Sequence, residues 1–522
     1  MSATAPTAGA AAAGPPGKRP RDPRLDFFRG CAMFIILLAH TPNNGWTLWI
    51  PARFGFSDAT EIFVFCSGMA SAMAFGAVFV ERGLLLGTAR VGFRVWQVYW
   101  AHVGVFLFTV AMLAAINLWE LGAPGFDYRE RPYVMPVFDN TEAAVVGLLT
   151  LTYVPGLFDI LPMYLVILAM IPAVMALHRI GGGPAVGAAV AVVWLGATLA
   201  GLARTVAAEG AAAGPLATMG EAFLWMNLPA RPWAGATWFF NPFGWQLVFF
   251  TGFAFGMGWL APPPVSRRLI RLAAGALLLT IPFAWHRLHA GVYLPDSWLL
   301  QDWLEAAREV IEPLRWKTWQ GLLRYLHFLA LAYLAWVAVG PRGARLDRGF
   351  APPPRRPAAQ RRRWALAAVP VAALTIPYAW IGEIKAVAPA LDAWILANLP
   401  MLGAALGWVQ MAHAAALAVI VWNALPQSAR DWTHGPMIRR ATPVIRKVGT
   451  QSLAVFMVSI PLSQAMGVVF DLHGSTIPML LLVNLSGFAL LIGTAYFCAW
   501  IKGHPWRRPA AKPAAAMPAP AE

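Results

Sequence analysis

The sequence predicts an all-α fold, a polytopic transmembrane helix bundle of about 10–12 spanning helices. Three observations predict it. Of the 522 residues, 59% are hydrophobic and 12% are charged, where a soluble domain carries about 25% charged residues. Apolar runs recur along almost the whole chain, many of them near the ~20 residues needed to cross a bilayer. The formal net charge of +16 collects in alternate connections between those runs. That is the positive-inside pattern of a membrane protein rather than the basic face of a nucleic-acid binder, so no nucleic-acid partner is expected.

Twelve apolar segments follow in order: 25–42, 56–80, 94–118, 156–178, 184–204, 241–260, 270–289, 320–340, 364–382, 400–424, 448–470 and 477–501. Lys18, Arg19, Arg21 and Arg24 precede the first. Arg82, Arg90 and Arg94 separate the second from the third, and His178 and Arg179 follow the fourth. Arg267, Arg268 and Arg271 follow the sixth. "PRGARLDRGFAPPPRRPAAQRRRW" follows the eighth, Arg430 to Lys447 the tenth, and Lys502, Arg507 and Arg508 the last. All of these connections fall on one side, which is read as cytoplasmic together with both termini. The opposite side receives the long aromatic connections 119–155, 205–240 and 290–319, the last with an amphipathic helical pattern. Most of the 25 tryptophans are read as interfacial anchors. The Ala/Gly/Pro-rich ends, 1–20 and 503–522, read as disordered cytoplasmic tails around one transmembrane domain, 21–502, whose basic cytoplasmic loop is 341–363. The first tail has no apolar core of its own and does not read as a cleaved signal. Cys31, Cys66 and Cys498 lie in apolar runs and read as packing residues, with no disulfide framework and no metal site.

The polar residues inside the apolar segments carry the functional reading. In "RLDFFRGCAMFIILLAH", Arg29 and His40 stand eleven positions apart. That is about three helical turns, so the two share a face and are separated by about 16 Å along the axis. Arg29 falls near the cytoplasmic end and His40 near the outer end. Snorkelling to headgroups, with Asp26 as a partner, also accounts for Arg29. The second segment opens "FGFSDATEIFVFCSGMA", with Ser57 or Asp58 as N-cap and Glu61 one turn inside. Antiparallel packing puts Glu61 at about the depth of His40. An ionisable residue within a membrane segment is a site hypothesis by default, and a carboxylate beside a histidine is the usual arrangement for a general base. A structural salt bridge is the competing account. Asp159, Asn241, Gln246, Arg324 and His327 fall near the outer ends of their segments and together outline one polar cavity open outward, while Gln451 and Ser452 lie near the inner end. The glycines of "GFAFGMG" (252–258) read as helix packing.

R-x10-H followed by "EIFVFCSGM" resembles the acyltransferase-3 superfamily of membrane enzymes. "RDPRLDFFRGCAMFIILLAHTPNN", "FGFSDATEIFVFCSG", "LFDILPMYLVIL", "FNPFGWQLVFFTGFAFG", "LRYLHFLALAYL" and "VGTQSLAVF" occur in the order seen in OpgC-type proteins, the succinyltransferases of osmoregulated periplasmic glucans. One departure is Ala39, where the family pattern has Asp before the histidine. The resemblance implies acyl transfer, with no bound cofactor. The co-substrate it implies is acyl-CoA (succinyl-CoA), the acceptor a glucan hydroxyl at the periplasmic face, and the location the bacterial inner membrane. In that reading His40 is the general base with Glu61 as its orienting group, and Arg29 binds the donor. Asp58, Asp159, Asn241, Gln246, Arg324 and His327 line the acceptor cavity. A proton-coupled transporter or flippase using the same polar residues is the alternative class. A reporter active only in the cytoplasm tests the loop charges. It is expected to be active when fused after Arg363 and silent when fused at Asp302, and the reverse pattern inverts the topology.

Overall fold

In the computed structural model of the chain, residues 22–210, 212, 214–285, 288, 299–350, 356–379, 390 and 400–506 are described. The first tail, all but four residues of the second and part of the 341–363 loop lie outside them. Helices account for most of what is described. Among those residues the strands are a two-stranded antiparallel ribbon, Pro229–Arg231 with Ala236–Thr237, in the 205–240 connection.

Helix α1 is Pro23–His40, capped by Asp22, whose side chain accepts the N–H of Arg24. Helix α2 is Ala59–Ser71, and a π-turn, Ala72–Gly76, runs it into α3, Ala77–Leu118. Helix α4 is Ile160–Ala208. At 1.5 Å per residue the continuous stretches Ala59–Leu118 and Ile160–Ala208 are roughly 90 and 70 Å long, more than twice a bilayer core. Each is broken once by a glycine in a conformation L-residues rarely adopt, Gly83 (φ 84°, ψ 178°) and Gly182 (φ 66°, ψ −164°). The two apolar segments read on either side of each glycine are thus joined by a one-residue break in place of a loop.

The remaining long helices are α5, Pro242–Met257; α6, Arg267–Ala284; α7, Leu322–Val339; α8, Ala358–Ala379; α9, Pro400–Ala424; α10, Pro436–Thr450; α11, Ser452–His473; and α12, Ile477–Lys502. Among the described residues five helices are long and apolar enough to cross a membrane: Ala59–Leu118, Ile160–Ala208, α7, α11 and α12. An amphipathic helix forms in the 290–319 connection as Leu299–Val310. One difference concerns the basic run after the tenth segment, read as a connection. It is helical as α10, because Thr442, Val448 and Gly449 bury one face while Arg439 and Arg440 stay exposed.

Small residues set how closely these helices approach. A Cβ on Gly68 of α2 would fall on the carbonyl oxygen of Phe249, and one on Gly252 of α5 would fall on that of Phe65. The two helices thus touch backbone to backbone, as small-residue interfaces in membranes do. The same holds between α1 and α10. Gly30 faces the carbonyl of Ile445, and Gly449 faces the carbonyl of Asp26. Gly92 in α3 has nothing within 4 Å of where a Cβ would sit. Gly449→Ala is therefore expected to lose about 1–3 kcal/mol through forced separation of two backbones, whereas Gly92→Ala is neutral or stabilising because alanine is the better helix former. Thermal unfolding midpoints of the two purified variants check this, and equal midpoints would contradict it.

Candidate functional site

The site is built where the C-terminus of α1 meets the N-termini of α2, α5 and α7. Helix α2 starts with a capping box. Asp58 Oδ1 accepts the N–H of Thr60 at 2.7 Å, and the N–H of Asp58 donates to Glu61 Oε2 at 2.8 Å. This arrangement satisfies the first orphan donors of the helix and holds both carboxylates on one turn. Both are buried.

Their counter-charges come from far along the chain. Arg324, in the first turn of α7, donates to Glu61 Oε1 from Nε at 2.9 Å and from a terminal nitrogen at 2.6 Å, and reaches Asp58 Oδ2 at 3.5 Å. Lys317 Nζ donates to the same Asp58 oxygen at 2.6 Å. Four opposite charges are thus closed on one another. Pairing is what makes buried charges tolerable in an apolar surround.

His327, one turn beyond Arg324, lies against Ser57. Its Nδ1 is 2.7 Å from Ser57 Oγ and accepts the Ser57 N–H at 3.3 Å. The ring can lie there because residue 55 is glycine: a Cβ at that position would overlap the imidazole. Asn241 caps α5 by accepting from the N–H groups of Phe243 and Gly244, and donates to Met226 O at 2.7 Å. Gln246 donates to Val190 O at 2.8 Å. Both amides tie helices and connections together and form the frame of the site. Asp159 is buried at the start of α4 and makes no side-chain cap. Lys317 acts electrostatically on Asp159, as it does on Asp58, Glu61 and His40.

His40 is the last residue of α1. Its backbone carbonyl accepts from Gln464 of α11 at 3.2 Å. Its Nδ1 is sealed from solvent and makes no hydrogen bond among the described residues. The charged groups that act on its ring are Lys317 and Asp58. The pairing with Glu61 expected from depth is not formed. Glu61 spends one oxygen on Arg324 and the other on the Asp58 N–H. At the other end of α1, the Arg29 guanidinium donates to Ser452 Oγ and lies 5.8 Å over the Phe63 ring. Ala39, where a carboxylate was expected, is exposed.

The structure therefore brings Asp58, Glu61, Arg324 and His327 into one bonded group and sets His40 and Asp159 within its electrostatic reach. Asn241 and Gln246 frame it, and Arg29 stands apart toward the other end of α1. Sequence reading missed Lys317, assigned only to an amphipathic outer connection. Its signal was faint: a lysine three residues before the apolar segment 320–340, between Trp316 and Trp319. Among the described residues no group of three or more His, Cys, Asp and Glu is placed to hold a metal, and the three cysteines are free thiols.

The fold and the site together define a multi-pass α-helical membrane protein with a buried charged cluster at one end of its helices. The family model described as "OpgC protein" matches residues 21–355 and 351–503, nearly the whole chain, and the protein belongs to the OpgC family. Membership implies a transferase role in glucan modification. Neither the curated proteins nor the solved structures yield a match.

The Glu61–Arg324 pair makes a direct test possible. Glu61→Gln and Arg324→Met each leave one buried charge unmatched, and each is expected to cost about 3–5 kcal/mol. The double variant removes both charges and should be destabilised by clearly less than the sum. Strict additivity in thermal or denaturant unfolding would show that the two residues do not act as a pair.

Proposed function

We propose that the protein is an inner-membrane O-acyltransferase, with both termini cytoplasmic, that moves an acyl group, succinyl in the reading from its family, from cytosolic acyl-CoA to hydroxyls of a periplasmic glucan. No bound cofactor is required. The observation that carries the reading is His40, at the end of the helix that carries Arg29: its Nδ1 is buried and unbonded among the described residues, and Lys317 and Asp58 of the charged cluster act electrostatically on the ring. The family assignment supplies the transferase class.

The division of labour follows from depth. Arg29, about 16 Å from His40 along the helix axis, suits an anionic part of the donor, because a guanidinium offers a planar fork of donors to a phosphate. His40 takes the proton of the attacking hydroxyl at Nε2, the ring nitrogen that is not sealed. Glu61 acts through Arg324 rather than on His40. Asp58, Asp159, Asn241, Gln246, Arg324 and His327 shape the acceptor side, with Asn241 and Gln246 acting through the backbone they hold.

Periplasmic glucans from cells with and without the protein carry the test. Wild type should add acyl esters, read as a change in mass and charge. His40→Ala should leave protein in the membrane and glucan in the periplasm but lower esterification about 10²–10⁴-fold, the usual contribution of a positioned base. In the same preparation Arg29→Ala should raise the acyl-CoA concentration needed for half-maximal rate, with Arg29→Lys recovering part of it. Full esterification by a well-expressed His40→Ala protein would overturn the mechanism. A change in where the glucan is found, with no esters on it, would favour transport instead.

A further inference from the structure

Of the four charged side chains in the cluster, Lys317 is the most open. Its side chain is 31% exposed, against 12% for Asp58, 10% for Arg324 and 0% for Glu61. An ammonium has three N–H donors. Among the described residues Lys317 makes one hydrogen bond, to Asp58. Two donors remain, on the part of the cluster that open space can reach.

The backbone beneath this side chain is held firmly. The Lys317 carbonyl accepts from Trp245 Nε1 at 2.8 Å, and the next carbonyl, of Thr318, accepts from the N–H of Asn241 at 3.0 Å. The chain at Trp319 presses so closely on α5 that only glycine fits at 244. The ammonium lies 5.3 Å from the Phe240 ring centroid and 5.9 Å from that of Phe239. Aromatic walls strengthen a fixed charge by excluding water. Lys317 also acts electrostatically on His40, the proposed base.

We propose that Lys317 is a catalytic residue whose free N–H donors stabilise the oxyanion formed on the acyl carbonyl during transfer. This rests on the acyl-transfer reading above. The acceptor O–H bond breaks as its proton passes to His40 Nε2. A C–O bond forms at the thioester carbonyl carbon, and the carbonyl π pair moves onto oxygen, where Lys317 meets it. Collapse returns that pair and breaks the C–S bond, and the thiolate takes the proton back from the imidazolium. Asp58 positions the ammonium by holding its third N–H.

The test uses the purified full-length protein with an acyl-CoA and a glucan acceptor. Lys317→Ala should lower kcat about 10²–10³-fold, the cost of losing one oxyanion donor, with KM for both substrates within about twofold. Added ethylammonium should restore part of the lost kcat, a response that a purely structural lysine would not give. Because the single variant leaves Asp58 without its closest cation, the double variant Asp58→Asn/Lys317→Met serves as the folding control. Asparagine keeps the cap of α2, and the loss of kcat should persist in a protein with a wild-type unfolding midpoint. An unchanged kcat, a loss confined to KM, or a loss that ethylammonium fails to relieve would overturn the proposal. Loss of transfer in His40→Ala with full transfer in Lys317→Ala would remove the role of Lys317 alone. Absence of transfer by the wild type would remove the parent reading.

Discussion

Arg324 reaching across to Glu61 is the contact from which the rest of the site takes its geometry. Neither group is affordable alone in an apolar bundle, and together they join the first turns of α2 and α7. Glu61 serves two structures at once, as the reciprocal member of the α2 capping box and as the acceptor for Arg324. Where α2 begins and where α7 docks are therefore one decision. His327 follows from the same docking, since it sits one turn along α7 and bonds Ser57 just ahead of the cap. Lys317 closes the group from the connection before α7, and its backbone is fixed by α5.

Much of this was legible in the sequence where the signal was local. "SDATE" announced the cap of α2, and Asn241 before Pro242 announced the start of α5. Hydrophobic length placed the long helices, including the stretches on either side of Gly83 and Gly182. The nature of those two breaks was not legible, because a basic or glycine-rich stretch between apolar runs reads as a loop whether one residue turns or ten do. The helix α10 was missed for a related reason: its charges match a cytoplasmic connection, and its buried face is narrow.

The partners within the site were harder to read, for a physical reason. Arg324 lies 263 positions from Glu61, and Lys317 lies 259 from Asp58. No periodicity links residues that far apart. Depth in the membrane put His40 and Glu61 at one level but carried no information about azimuth, and azimuth decides which side chains touch. Arg324 has five donors and binds the carboxylate that an imidazole would otherwise have met. With Ala39 at the position before His40, α1 brings no carboxylate of its own to that level, so the acidic groups there come from α2 and the start of α4.

The crossing of α1 over α10 carries a further meaning for the inner end. Gly30 follows Arg29 directly, and Gly449 precedes Ser452 by three residues. Because the two backbones touch at these glycines, the hydrogen bond between Arg29 and Ser452 depends on the register of the two chains as well as on the side chains themselves. One residue inserted between Gly449 and Ser452 would shift the serine out of the register that the Gly30–Gly449 contact fixes, away from the guanidinium. The spacing between glycine and serine is thus as much a part of this end of the protein as the residues themselves. In related chains, lengthening is to be sought before α10 or beyond α11, and not between them.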